Sequence, residues 1–114
     1  MKGEFCMNLW NGIGNLTRNP EVSYKPGNDP LAIAKMTIAV NDGYGEKQRT
    51  DYINITCFGR MAENCEKYLS KGSKIAVAGK IQTGSYEKDG RKVYTTDIIA
   101  SNIEFLGGSD SRLP

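Results

Sequence analysis

The stretch Asp51–Tyr86, DYINITCFGRMAENCEKYLSKGSKIAVAGKIQTGSY, decides the fold. It reads as a strand, a short helix, a glycine stop and a second strand that runs into a hairpin. Side chains of a strand point alternately to its two faces. In the first strand this puts Ile53, Ile55 and Cys57 on one face, the core face. The other face carries Tyr52, Asn54, Thr56 and Phe58, polar in the middle and aromatic at both ends. The second strand repeats the scheme: Ile75, Val77 and Ile81 point one way, Lys74, Lys80, Gln82 and Tyr86 the other. A polar sheet face that presents rings and lysines suits a single-stranded nucleic acid, because bases stack on the rings and phosphates meet the cations. The competing reading is a barrel strand covered on both sides, with Tyr52 and Phe58 as ordinary packing residues. The pattern by itself leaves both open.

Between these strands, Arg60–Ser70 has helical periodicity. Met61, Ala62, Cys65, Tyr68 and Leu69 form its apolar stripe, and Glu63 with Lys67 an exposed i,i+4 pair. Gly72 lies just past its end, where a left-handed cap is easiest for glycine. Upstream, Leu31–Val40 is a strand with Ala32, Ala34, Met36, Ile38 and Val40 facing in, and Lys35 and Thr37 facing out beside Ile33 and Ala39. The segment Asn41–Thr50 is rich in glycine and charge and carries Tyr44, Lys47 and Arg49. It is either a solvated hairpin loop or an arm that wraps a nucleic-acid backbone.

Asn8–Leu16 alternates imperfectly, with Trp10 and Ile13 as packing residues. Gly12 and Gly14 in it predict a bulge or a close backbone approach. Thr17–Pro20 is a turn, Glu21–Tyr24 a short extended piece and Lys25–Pro30 a loop. Asp89-Gly90 marks a tight hairpin turn, and Val93–Leu106 is the return strand, with Ile98, Ile99, Ile103 and Phe105 as its apolar residues. Residues 1–7 read as a flexible leader, 8–106 as one folded domain and 107–114 as a polar stub. The expected fold is all-β: a five-stranded barrel with one α-helix between the third and fourth strands, the layout of the oligonucleotide/oligosaccharide-binding (OB) fold.

A chain of 114 residues makes one domain, and 39% apolar with 25% charged residues places it among globular rather than disordered proteins. No apolar run approaches the ~20 residues that span a membrane, and the opening MKGEFCMNLW has no signal-peptide core, so a cytoplasmic protein is expected. A net charge of +2 is too small to hold duplex DNA by bulk attraction. Cys6, Cys57 and Cys65 have no metal-ligand spacing and are expected to stay reduced, the last two buried as small apolar residues. There is no histidine, no phosphate-binding loop and no acidic cluster, which argues against catalysis, a metal or a cofactor. What remains is a surface of Tyr44, Tyr52, Phe58 and Tyr86 with Lys35, Lys47, Arg49, Arg60, Lys71, Lys80, Arg91 and Lys92.

Several segments then resemble one family, the bacterial and phage single-stranded-DNA-binding proteins. They are Asn8–Leu16 with Thr17-Arg18-Asn19-Pro20-Glu21-Val22 and Tyr24; Tyr52–Gly59 with Ala62-Glu63; Tyr68-Leu69-x-Lys71-Gly72-Ser73; and Val93-Tyr94-Thr95-Thr96. The resemblance spans about Asn8–Leu106. It implies a homotetramer that binds single strands without sequence preference and protects them in replication, recombination and repair. It also implies stacking at Tyr44, Tyr52, Phe58 and Tyr86, with Arg60 and Lys71 at cationic positions. The chain departs from the family pattern in three ways. Stacking positions often filled by tryptophan are tyrosine, and Gln82, Gly84 and Ser85 stand where relatives are often basic. Third, the chain stops at Ser109–Pro114 without the acidic tip that recruits replication and repair enzymes, which puts that recruitment in doubt. An OB-fold primosomal or protein-interaction module with weak nucleic-acid binding is the alternative of another class, and an RNA-binding module would use the same surface.

Overall fold

The computed structural model describes residues 7–43 and 45–107. Its elements in chain order are β1 (Trp10–Leu16), β2 (Glu21–Lys25), β3 (Leu31–Asp42), a 3-10 turn at Gly45–Lys47, β4 (Arg49–Phe58), α1 (Arg60–Tyr68), β5 (Lys74–Lys88) and β6 (Arg91–Gly107). The sheet runs β1-β5-β6-β4-β3-β2, and β1 pairs with β3 as well, so five strands close a ring. The expected barrel is therefore present. The strand count is six, because Glu21–Lys25 pairs antiparallel with Leu31–Lys35 over five residues and is a strand in its own right. The helix accordingly falls between β4 and β5.

Closure depends on β1 changing partners. Trp10–Asn15 pairs with β5, and Asn15 and Leu16 then pair with Ala39 and Ile38 of β3. Gly14 sits at the changeover, where a Cβ would lie 2.6 Å from the carbonyl oxygen of Ala39. The close backbone approach expected of this segment is real, and only glycine meets it.

The inner face is filled by Leu16, Ala32, Ala34, Met36, Ile38, Ile55, Cys57, Ile75, Val77, Ile98 and Ala100, while Ala62, Cys65 and Leu69 come from the helix side. Helix α1 packs on β2, β3 and β4 and closes one end of the barrel. It ends at Tyr68, earlier than expected, with Leu69 already extended and its N–H donating to the Cys65 carbonyl at 3.0 Å. Gly72 is not the helix cap. It takes φ 94° at the third position of the turn Ser70–Ser73, whose last N–H bonds the Ser70 carbonyl at 2.9 Å. A type II turn needs a positive φ there, so glycine serves the turn rather than the helix.

Two members of the expected helical surface behave differently from the pattern. Tyr68 lies outside the core and packs its ring at 6.2 Å from that of Phe105. Glu63 and Lys67 form no ion pair; the Lys67 ammonium stands 5.9 Å from the Tyr68 ring instead. Cys57 and Cys65 are buried as expected, with their sulfurs 3.9 Å apart. Their hydrogen bond and the loss of solvation together push the Cys65 thiol far above its ordinary range, which keeps it neutral and unreactive. Cys6 lies outside the described residues.

β5 and β6 are much longer than the barrel is tall. A bulge breaks their register between Ala78 and Gly79, so Ser101 has no partner across the ladder. Its hydroxyl donates to the Ala78 carbonyl at 3.0 Å and satisfies the group the bulge frees. Gly79 is required at this point, since a Cβ would strike the Ile99 carbonyl. Beyond it the two strands leave the barrel as an arm that ends in the turn Asp89-Gly90, where both φ angles are positive (53° and 77°), as in a type I′ hairpin turn. Ile81 shares the inner face with Val77 but is 41% exposed, because it stands where the arm departs and the barrel no longer covers it. Among the described residues no helix is long and apolar enough to cross a membrane.

Candidate nucleic-acid interface

The outer face of β4 is organised by its pairing with β3. Phe58 lies opposite Ile33, Thr56 opposite Lys35, Asn54 opposite Thr37 and Tyr52 opposite Ala39. β6 adds Ile99 beside Thr56, and β5 adds Lys80 opposite Ile99. One row across four strands thus reads Lys35, Thr56, Ile99, Lys80, with a cation at each end. In the next row the Thr37 hydroxyl bonds the Asn54 side-chain oxygen at 3.0 Å, which holds the amide in place. Tyr52 and Phe58, 68% and 42% exposed, stand above and below these rows. Of the two readings the pattern left open, the exposed face holds and the covered second core does not. Tyr86, 52% exposed, continues the same outer face onto the arm, opposite Val93.

A groove of about 220 Å³ crosses this face, lined by Arg18, Glu21, Lys35, Thr37, Asn54, Thr56 and Asp97 among others. Arg18 was not among the sequence candidates. It reaches the groove because the turn after β1 folds over β3, with the Thr17 N–H bonded to the Thr37 carbonyl at 2.9 Å. No local pattern signals that crossing. Glu21 and Asp97 offset the two cations, so the groove holds both signs of charge and favours a strand that brings bases as well as phosphates.

The remaining candidates are scattered around this centre. Tyr44 lies outside the described residues. Lys47 sits in the 3-10 turn, and the Arg49 guanidinium is drawn to Asp51 at 3.1 Å, the one ion pair among the described residues. Arg60 opens α1 two residues after Phe58, but it lines a cleft of about 610 Å³ with Tyr24, Glu63, Asn64, Glu66 and Lys67. There the Tyr24 hydroxyl donates to Glu66 at 2.9 Å, and that bond, followed by desolvation and the charge of Glu66, raises the Tyr24 pKa. Lys71 belongs to the turn after α1, its backbone N–H held by the Asn19 side chain at 2.8 Å. It therefore stands beside the β1–β2 turn and not among the rings. Arg91 lies opposite Lys88 and Lys92 opposite Glu87 at the tip of the arm.

Tyr94 is a further exposed ring that the candidates omitted. Counting back from the two-residue turn places it opposite Ser85, on the face of the arm away from Tyr86. The two-residue turn sets this face, because residues equidistant from Asp89-Gly90 pair across it.

Comparison with known proteins finds relatives that cover most of the chain. The single-stranded DNA-binding protein of Bacillus cereus is 38% identical over 108 residues, covering 88% of this chain and 62% of the relative. Single-stranded DNA-binding protein 1 of Staphylococcus aureus is 43% identical over 105 residues, covering 88% and 65%. The single-stranded DNA-binding protein of Oceanobacillus iheyensis is 39% identical over 109 residues, covering 87% and 66%. The chain thus spans a little under two-thirds of the length of these relatives. A profile of the single-strand binding protein family matches residues 7–106. The chain belongs to the single-strand binding protein family.

Proposed function

We propose that this protein binds single-stranded DNA without sequence preference and protects it during replication, recombination and repair. The observation that carries this reading is the outer face itself: Tyr52, Phe58 and Tyr86 exposed on one side of a closed barrel, with hydrogen-bonded polar rows and cations between them. A base stacked on such a ring contributes roughly 1–3 kcal/mol whatever its identity. Three rings therefore supply what a net charge of +2 does not. Duplex DNA, whose bases are already stacked, offers the rings nothing. The role is one of binding and not of catalysis, carried by residues 8–106 as one unit, in the cytoplasm and without a cofactor.

The test is a titration with single-stranded and duplex DNA, and single-stranded RNA, of equal length, followed through tyrosine emission. Oligo(dT) is expected to quench the emission and bind far more tightly than duplex. Equal binding of both DNA forms would sink the proposal.

The same reading includes a homotetramer. Leu9 and Ile13 are 72% and 52% exposed, and the outer edge of β1 before Asn15 has no strand beside it in the described fold. Ile13 lies opposite Ala76 on the outer face of β1 and β5. An open edge with apolar neighbours is a place where another copy pairs. Light scattering at micromolar concentration is expected to return four protomer masses, and a monomer mass would refute the assembly.

A further inference from the structure

The arm formed by β5 and β6 has two faces, and the proposed binding surface uses only one. On the inner face, which continues from the barrel interior, Tyr94 lies opposite Ser85 and Thr96 opposite Thr83. Tyr94 is 75% exposed, a larger fraction than for any other described aromatic ring. The Lys92 ammonium stands 6.0 Å from the centre of its ring. Two residues further along β6 from Tyr94, at Thr96, the face leads into a recess of about 190 Å³ at the barrel mouth. Trp10, Tyr52, Ile53, Ile81 and Ile98 are among the residues that line it with Thr96.

We propose that this inner face of the arm, Tyr94 with Lys92 and the recess beside Trp10 and Tyr52, is a second track for single-stranded nucleic acid, so that one strand bends around the arm and uses both faces. The proposal rests on the binding function argued above and adds a site to it. Three features point to this occupant. A ring exposed to this degree with a cation beside it matches a nucleotide, which brings a flat base for the ring and a phosphate for the ammonium. The recess is apolar and small, well below a drug-sized pocket, and so suits a single inserted ring. Tyr52 belongs to both the outer face and the recess, which makes the two tracks continuous.

The experiment compares the parent with Tyr94→Ala, Tyr94→Phe and, as a control on the outer face, Phe58→Ala. Affinity for oligo(dT) is measured for each, and 5-iododeoxyuridine oligonucleotides are photo-crosslinked to the parent and mapped by mass spectrometry. Tyr94→Ala is expected to weaken binding by roughly 5- to 150-fold, the loss that one stacked base implies. Tyr94→Phe, which keeps the ring, is expected to bind as the parent does, and an adduct is expected on Tyr94. Full affinity in Tyr94→Ala, or the absence of an adduct on Tyr94, overturns the second track while binding that still depends on Phe58 leaves the outer face standing. Failure of the parent to bind oligo(dT) at all overturns both.

Discussion

Replacing Ile55 by alanine is expected to lower the folding stability by about 2–5 kcal/mol, the range for truncating a fully buried aliphatic side chain. Ile55 is completely buried and has a paired strand on each side. It lies opposite Met36 of β3 on one side and Ile98 of β6 on the other. The β4–β6 pairing is parallel and only two residues long, as short as the β1–β3 closure, so Ile55 helps to hold one of the two shortest seams in the ring. Removing its outer carbons leaves a void there, and the surrounding strands are tied in register and cannot collapse into it. Total stability for such a domain is ~5–15 kcal/mol, so the change removes a large share of it. Urea unfolding at fixed protomer concentration checks this, since any assembly makes the midpoint depend on concentration. Ile55→Val, which keeps most of the volume, is expected to cost only about 0.5–1.5 kcal/mol. Equal losses from the two variants would show that the site tolerates a void and that the seam is held elsewhere.

Phe58→Ala and Tyr86→Ala are each expected to weaken oligo(dT) binding by about 1–3 kcal/mol while leaving its salt dependence almost unchanged. The two rings sit on the same outer face but on different strands, one at the end of β4 and one on the arm. Tyr52 and Phe58 are six residues apart on β4, or roughly 20 Å at the rise of a strand, too far for one base to reach both rings. A lost ring removes stacking and leaves the phosphates paired as before. Lys35→Ala is expected to do the reverse. It removes one of the two cations that line the groove and should reduce the slope of log affinity against log salt by roughly 0.7 for a single strand. Arg60→Ala, expected from the sequence to remove a phosphate contact, should change the slope less, because Arg60 lines the helix cleft together with Glu63 and Glu66 and not the groove. Affinity measured across a range of salt concentrations separates the two kinds of loss. Folded aromatic variants that bind oligo(dT) as well as the parent would remove the stacking account altogether.

Much of this protein was legible in the chain because period-2 alternation is a local property. The alternation of Tyr52 to Phe58 and of Ala32 to Val40 fixed which side chains of β4 and β3 face the core, and Ala32, Ala34, Met36, Ile38, Ile55 and Cys57 are buried accordingly, with Ile53 and Val40 half-buried towards the strand ends. Asp89-Gly90 announced a turn that demands two positive φ angles, and both are present. Three of the four expected stacking rings were in place on the outer face for the same reason, and the fourth, Tyr44, falls outside the described residues.

Tertiary structure decided whatever depends on partners distant in sequence. Glu21–Lys25 is too short and too mixed to declare itself, and it became a strand only through pairing with β3. The bulge at Ser101 shifts the inward parity of β6, so that Ile98 and Ala100 face the core before it, and Ile103 and Phe105 lie opposite Val77 and Ile75 after it. A simple alternation across Val93–Leu106 has no means of showing that shift, because it is set by the β5 register and by how closely Gly79 approaches Ile99. The placing of the charges was decided in the same way. A lysine or arginine in a sequence has a charge but no direction, and only the folded turns brought Arg18 into the groove, gave Arg60 to the helix cleft and carried Lys71 to the β1–β2 turn.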